Sequence, residues 1–278
     1  MKILITGGAG FIGRNLCKFF LDKGYFVRSI DNFSTGHKEN IKNLLKNKNF
    51  EFLEGDIRDY EFCDKACENI DFVSHQAALG SIPRSIKDPI LTHQVNVNGF
   101  LNIILASKNN KVKKFIYASS SSVYGDSENL PKIENKLGNP LSPYAITKKS
   151  NEDYARVFSS LYNLKTFGLR YFNVFGPYQD PNGAYAAVVP KFINSFINNQ
   201  SPIINGDGSF TRDFTYIDNI LHINYLLIKN DFKQINNEVF NVACGSKNSI
   251  SRLSKLIKSN LSLLDKNIKN VKIKYKEV

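Results

Sequence analysis

The first thirteen residues restrict the fold more than any other stretch. Residues 2–6 (Lys-Ile-Leu-Ile-Thr) are a short apolar run that passes directly into Gly7-Gly8-Ala9-Gly10-Phe11-Ile12-Gly13, and apolar residues then recur at helical spacing as far as Leu21. A strand turning through spaced glycines into a helix suits a pyrophosphate. Gly7, Gly10 and Gly13 permit the tight turn, the close approach of backbone to ligand and the packing of helix on strand, while the helix N-terminus faces negative charge. The spacing is Gly-x-x-Gly-x-x-Gly, where many dinucleotide sites have Gly-x-Gly-x-x-Gly. Phe11 and Ile12 open the helix beside the ligand. Because the apolar run meets the glycines without a cleavage-type region, it is expected to be a first strand and not a signal peptide.

Strand and helix signals alternate from there. Strands are expected over 25–30, 50–53, 72–75, 114–118 and 166–171, with a long helix over 91–107. Ser142-Pro143 is a helix start, serine as cap and proline at the first helical position, for a helix running to about residue 161. Strands separated by helix-length segments predict an α/β fold with a doubly wound parallel sheet, the Rossmann arrangement. After Gly176-Pro177 the pattern changes to turns (Pro181-Asn182-Gly183, Asn205-Gly206-Asp207-Gly208) around a helix near 189–198. The expected division is a dinucleotide-binding domain over 1–176 and a smaller lobe over 177–278, with 213–245 returning to the first domain.

Composition excludes several classes. The net charge is +12, but the lysines are dispersed and no basic motif is interleaved with aromatics, so nucleic acid is not an expected partner. No segment is apolar for long enough to cross a bilayer; residues 220–228 are short and contain His222 and Asn224. Cys17, Cys63, Cys67 and Cys244 are too few and scattered for a disulfide framework, and no partner residues complete a metal site around Cys63 and Cys67. A cytoplasmic protein with no metal is expected.

The rest of a dinucleotide site can be placed on this frame. Asp31 ends the second strand, where a carboxylate can accept from ribose hydroxyls, and Asn32-Phe33 in place of a basic pair favours NAD over NADP. Asp56 and Ile57, after the third strand, can hold adenine through a carboxylate and backbone. Gln76, Ala77 and Ala78, after the fourth, are small enough where the nicotinamide approaches backbone. Downstream, Tyr144 and Lys148 share a helical face, and a serine run, Ser119 to Ser122, ends a parallel strand, where such sheets bind ligands. A free phenol titrates near 10. An adjacent ammonium and an oxidised nicotinamide both favour phenolate, making Tyr144 a base for alcohol–ketone chemistry, with Ser120 passing or orienting the proton. A Tyr-x-x-x-Lys pair alone is common on helix surfaces; the glycine loop and serine-bearing strand decide between the readings.

With these residues in place the chain resembles the extended short-chain dehydrogenase/reductases, in particular the nucleotide-sugar 4-epimerases. The matching stretches are 6–13, Asp31-Asn32-Phe33-Ser34-Thr35-Gly36, Ser120 to Gly125, Pro143-Tyr144-Ala145-x-x-Lys148 and Arg170-Tyr171-Phe172-Asn173-Val174-Phe175-Gly176. Residues 75–85 and 179–188 look like the O-antigen type that acts on UDP-N-acetylglucosamine. The resemblance adds Ser34, Thr35, Gly36 and Phe172 to the NAD contacts. It places Asn173, Ala187, Val188, Phe192, Asn205 and Arg212 on the UDP-sugar, and Gly80, Ser81 and Ser121 near the hexose and its N-acetyl group. It implies a homodimer and a 4-keto intermediate. The family's dehydratases carry Asp-Glu where this chain has Ser121-Ser122, which argues against dehydration. The family continues past residue 278 with an Arg-x-Gly-Asp segment that grips UDP, so the C-terminal lobe is expected to be incomplete. Two alternatives stand beside this one. The chain could act on another UDP-sugar, as an epimerase or decarboxylase, or could be an inactive NAD-binding module.

Overall fold

The computed structural model describes residues 1–183, 185–232 and 235–277. In chain order β1 (Lys2–Thr6), α1 (Phe11–Asp22), β2 (Phe26–Asp31), α2 (Lys38–Ile41), β3 (Phe50–Glu54), α3 (Tyr60–Cys67) and β4 (Phe72–His75) come first. There follow α4 (Ile82–Lys87), α5 (Pro89–His93), α6 (Gly99–Asn109), β5 (Lys114–Ser120), α7 (Pro143–Tyr162) and β6 (Lys165–Tyr171). The remaining elements are β7 (Val174–Phe175), α8 (Val188–Ile197), β8 (Ile203–Asn205), β9 (Thr211–Arg212), β10 (Thr215–Tyr216), α9 (Ile217–Lys229), β11 (Glu238–Val242), β12 (Asn248–Ser249), α10 (Ile250–Leu261) and β13 (Lys274–Lys276).

Seven strands form one parallel sheet in the order β11-β6-β5-β4-β1-β2-β3. The chain winds outward from β1 to β3, crosses back, and winds the other way from β4 to β11. Ligands of such sheets bind where the order reverses, at the carboxyl ends of β1 and β4. Continuous burial is what a central parallel strand requires, and all four residues of β4 are buried. The core runs from Leu4, Val73 and Phe115 on the sheet to Phe100, Ile103 and Ile104 of α6 and Ala155 and Phe158 of α7. On α1 and α9, Phe19 meets Tyr225 edge-on at 5.8 Å.

Local sequence explains the element that matters most. The Ser142 hydroxyl accepts the Ala145 N–H at 3.1 Å, Pro143 takes the first helical position, and Asn163 closes α7 in the left-handed region with φ 54°. The long helix expected over 91–107 is instead α5 and α6 joined by a π-helical turn, Gln94–Asn98. Such a turn inserts a residue without ending the helix, which periodicity alone cannot reveal.

The chain divides into two compact units. The first is Met1–Phe172 with Ile217–Val242; the second is Asn173–Tyr216 with Ala243–Val278. The break therefore falls after Phe172, not Gly176, and the returning segment is 217–242, within the expected 213–245. The second unit packs Phe192 and Phe196 of α8 with Ile204, Ile268 and Val271. It also contains three two-stranded pairs (β10 with β7, β12 with β9, β13 with β8) and helix α10, none of them expected from the sequence.

Candidate functional site

The glycine turn meets the β4 loop at very short range. Gly7 has φ +73°, and a Cβ there would lie 2.9 Å from the Ala77 Cα and nitrogen. At Gly13 a Cβ would stand 2.1 Å from the Gly7 carbonyl oxygen, so only a glycine lets α1 pack on the turn. Gly10 precedes α1 in extended backbone with no side-chain cap, and Phe11 and Ile12 are half-buried in its first turn. Thr6 Oγ1 accepts the N–H groups of Gln76 and Ala77, each at 3.0 Å, which ties the ends of β1 and β4 together.

Asp31 serves this turn directly. One carboxylate oxygen accepts the Ala9 N–H at 3.0 Å and the other the Phe33 N–H at 2.8 Å. Burial raises its pKa, and these backbone donors work against that rise. The backbone of Asn32 and Gly10 also hydrogen-bonds this carboxylate. Asn32 is a turn residue whose side chain accepts the Ser34 N–H at 3.0 Å and donates to Asp56 at 2.8 Å. Gly36 packs on Ala9, while Ser34 and Thr35 lie in the bend between β2 and α2.

Asp56 corrects the reading from sequence. Its carboxylate accepts the Arg58 N–H at 2.9 Å, Arg58 Nε at 3.0 Å, Arg58 Nη2 at 2.7 Å and Asn32 at 2.8 Å. The Arg58 guanidinium holds its pKa down to about 2. Its side-chain acceptor positions are thus filled within the chain, and the Asp56 and Ile57 carbonyls also accept, from the Asp59 N–H at 3.1 Å and from Asn102 Nδ2 at 3.0 Å. Ile57 itself is buried against Gly99. Gln76 belongs to a closed ring: Tyr171 donates to Gln76 Oε1 at 3.2 Å, Gln76 Nε2 to Ser74 at 2.9 Å, Ser74 to Asn224 at 2.9 Å, and Asn224 back to Tyr171 at 3.4 Å. Ala77 and Ala78 follow it, half-buried. Phe172 ends the first segment of the first unit, with its ring 6.1 Å from Tyr124.

Tyr144, Lys148 and Ser120 come together in this unit. Ser120 Oγ accepts the Ser122 N–H at 3.2 Å and is hydrogen-bonded to Tyr144. Lys148 Nζ lies 5.9 Å from the Tyr144 ring centre and donates to the Ala118 carbonyl at 2.8 Å. Burial of the hydroxyl raises the Tyr144 pKa and Ser120 opposes the rise, while Lys148 is held 5.9 Å from the ring by Ala118. Burial also lowers Lys148, to about 8, against the pull of Glu152. Nearby Ser121 is half-buried in the 3₁₀ turn Ser121–Tyr124. Gly80 has open space around it, and Ser81 spends its hydroxyl capping α4 through the Arg84 N–H at 3.2 Å.

The other sugar-nucleotide residues expected from the family lie in the second unit. Asn173 has φ 37° and donates to the Asp213 carbonyl at 2.8 Å. Ala187 and Val188 begin α8, Asn205 pairs with Lys276, and the exposed Arg212 donates to its neighbour's carbonyl, Thr211, at 2.9 Å. Phe192 is 4% exposed in the core of this unit, so it offers a ligand little more than an edge. Ala184 and Val278 lie outside the described residues. A cavity of about 480 Å³ beside α8, walled by Phe175, Val189, Ile193 and Tyr216, includes none of these six residues.

Sequence reasoning passed over several groups. Asn96, in the π-helical turn, accepts the Leu79 N–H at 2.7 Å and donates to the Leu79 carbonyl and to Thr147, each at 3.2 Å, linking the β4 loop to α7. Its signal was a polar residue in an apolar helix. Glu152 lies eight residues after Tyr144 on the same helical face, and Arg170 pairs with it at 2.8 Å. Among the described residues no group of three or more His, Cys, Asp or Glu could hold a metal, and no helix is long and apolar enough to cross a membrane.

A dinucleotide turn at the switch point of a parallel sheet, with Ser, Tyr and Lys gathered in the same unit, defines a redox-capable nucleotide-binding enzyme class. Residues 3–243 match the NAD dependent epimerase/dehydratase family. The chain belongs to that family of extended short-chain dehydrogenase/reductases, and NAD is its cofactor. It is similar to a putative UDP-glucose 4-epimerase of Methanocaldococcus jannaschii, 38% identical over 258 residues, 92% of this chain and 81% of that one. Among solved structures it is similar to a UDP-N-acetylglucosamine 4-epimerase from Methanobrevibacter ruminantium in complex with UDP-N-acetylmuramic acid. That match has a TM-score of 0.91 and 40% identity, over 99% of this chain and 85% of that one. A UDP-glucose 4-epimerase from Thermus thermophilus in complex with NAD gives 0.86 and 30%, over 99% and 86%.

Proposed function

We propose that this chain interconverts UDP-N-acetylglucosamine and UDP-N-acetylgalactosamine by NAD-dependent 4-epimerisation. The observation that carries the reading is the Ser120–Tyr144–Lys148 group with Ser121 and Ser122 beside it. It provides a base for a sugar hydroxyl and no carboxylic acid at the two positions where the resembling dehydratases have one. Tyr144 takes the 4-hydroxyl proton and later returns it, with Ser120 handing the proton across. Lys148 supplies positive charge to the phenolate, and the Ala118 carbonyl fixes where that charge stands. NAD, when bound, provides hydride acceptance and return at C4. Gly80, Ser81 and Ser121 are assigned to the hexose; Asn173, Ala187, Val188, Phe192, Asn205 and Arg212 to the UDP part, with Arg212 meeting phosphate.

The relatives favour a second reading. Several at comparable identity are named UDP-glucose or UDP-glucuronate 4-epimerases, and either sugar could be the substrate here. Incubation with UDP-N-acetylglucosamine, UDP-glucose and UDP-glucuronate in turn, without added NAD, separates these. Formation of UDP-N-acetylgalactosamine as the fastest product supports the first reading. A faster non-acetylated product sinks it, and no product from any of the three makes the chain an inactive NAD-binding module.

We also assign a homodimer. Ile146, Tyr154, Val157 and Leu161 leave an exposed apolar stripe along α7, with Ile90 exposed on neighbouring α5. Leu161→Glu should turn a dimer into a monomer in light scattering; a monomeric unaltered chain removes the assignment.

A further inference from the structure

The end of β5 holds α7 at three successive turns. Ser120 meets Tyr144, the Ala118 carbonyl accepts from Lys148 at 2.8 Å, and Ser119 Oγ donates to Glu152 Oε1 at 2.5 Å. Positions 144, 148 and 152 follow one another at i, i+4 and i+8, a single face of the helix. The third hold is built as a buried charge pair. Glu152 is 6% exposed, and Arg170 of β6 reaches it twice, Nε to Oε1 at 2.9 Å and Nη2 to Oε2 at 2.8 Å. Arg170 also donates through Nη1 to the Tyr124 hydroxyl at 3.0 Å and the Glu134 carbonyl at 2.8 Å. Tyr124 passes its own proton to Asn241 at 2.6 Å.

We propose that Glu152, held by Ser119 and Arg170, is a positioning residue for the proton chemistry at Tyr144. It sets the register of α7 on β5 and stands as the counter-charge one helical turn from Lys148.

A buried ion pair rarely stabilises a fold better than apolar residues of the same shape, so its presence points to specificity, here of register. Lys148 faces Tyr144 and Glu152 on its own helix and His75 on β4. Arg170 of β6 and Tyr117 of β5 act on Glu152, and Tyr124, in the turn after β5, meets Arg170. Glu152 is the anion that acts on Lys148, against the burial that lowers it to about 8. His75 is neutral, pushed down to about 3 by burial. Glu152→Gln would remove the anion and leave Arg170 cationic and buried. Lys148 would then shed its proton at lower pH, and Tyr144 would lose the ammonium that supports its phenolate.

The inference rests on the epimerase reading, so the test has one arm that needs turnover and one that does not. In the NAD-bound full chain, Glu152→Gln is expected to lower kcat by about 10- to 100-fold, the lower range for lost acid–base assistance, with the sugar-nucleotide KM little changed. The alkaline limb of the kcat profile should move down by about one pH unit or more. Glu152→Asp restores the charge and should restore the limb, even if kcat recovers in part. In the second arm the Lys148 ammonium signal, assigned in nitrogen-detected NMR by its loss in Lys148→Arg, should titrate lower in the Gln variant. A folded Glu152→Gln chain with an unmoved limb and an unmoved Lys148 titration overturns the proposal. Should that variant not fold, Ser119→Ala removes one hydrogen bond and no charge; unchanged kcat there would equally overturn it. No turnover by the unaltered chain would count against the epimerase reading alone, since the Lys148 titration still decides the role of Glu152.

Discussion

The hydroxyl of Thr6, the last residue of β1, lies 2.9 Å from Nδ1 of His75, the last residue of β4. Because Thr6 Oγ1 already accepts from Gln76 and Ala77, its own proton goes to His75, whose Nδ1 must carry a lone pair. A neutral imidazole is thereby built into the floor of the switch point. Charging it would break the tie that sets Ala77 against the glycine turn.

Acid is therefore expected to loosen the first unit. Burial, with Lys148 adding to it, takes His75 from its ordinary 6.5 down to about 3. Between those values the unfolded chain binds a proton that the folded chain does not, so this contribution is complete above about pH 6.5 and is lost as pH falls toward 3. The slope should reach about 1.4 kcal/mol per pH unit. Denaturant unfolding at several pH values between about 4.5 and 7 measures it, and His75→Gln should remove that part of the slope. An equal slope in the variant would place the acid sensitivity elsewhere.

Two glycines should respond oppositely to alanine. At Gly13 the added Cβ would stand 2.1 Å from a backbone oxygen that cannot rotate away, whereas at Gly80 it meets nothing within 4 Å. Gly13→Ala should cost about 1–3 kcal/mol of stability and weaken NAD, since the turn must open. Gly80→Ala should stay within about 0.5 kcal/mol. Melts of the two variants side by side test the pair; equal losses would mean that the turn yields.

Much of this was legible in sequence because local and global signals agree. Residues 2–6 and 72–75 were expected as strands and are β1 and β4, and Ser142-Pro143 marks the start of α7 by chemistry that does not depend on packing. What stayed hidden depends on partners distant in the chain. Asp56 reads as a free carboxylate until Arg58 and Asn32 are seen to fill it. The π-helical turn at Gln94–Asn98 does not disturb apolar periodicity enough to show. In the second unit, β8 and β13 are paired across some seventy residues, and each has only three. Helix α10 carries readable signals, Ser249 as its cap and Leu253, Ile257 and Leu261 at helical spacing, but no expectation was drawn for it.

Tyr144→Phe is expected to lower turnover by at least about 100-fold, the lower end for lost acid–base catalysis. The phenol sits above its ordinary pKa through burial, so Ser120, Lys148 and the oxidised nicotinamide must together bring it into use. The ring remains, so packing and NAD affinity should be little changed. Steady-state rates beside an NAD titration measure both, and a variant with near-normal turnover would remove Tyr144 from the chemistry.

Asp31 carries two duties, and one substitution can separate them. Its carboxylate holds the glycine turn through Ala9 and its own bend through Phe33, and it is also assigned to the adenosine ribose. Asp31→Ala should weaken NAD by roughly 1.5–3 kcal/mol, the range for a hydrogen bond to a charged group. The Ala9 amide, freed from its acceptor, should also exchange faster with solvent. Calorimetry reads the first effect and hydrogen exchange the second. Faster exchange at Ala9 with unchanged NAD affinity would leave Asp31 as an anchor for the turn and take it out of the cofactor site.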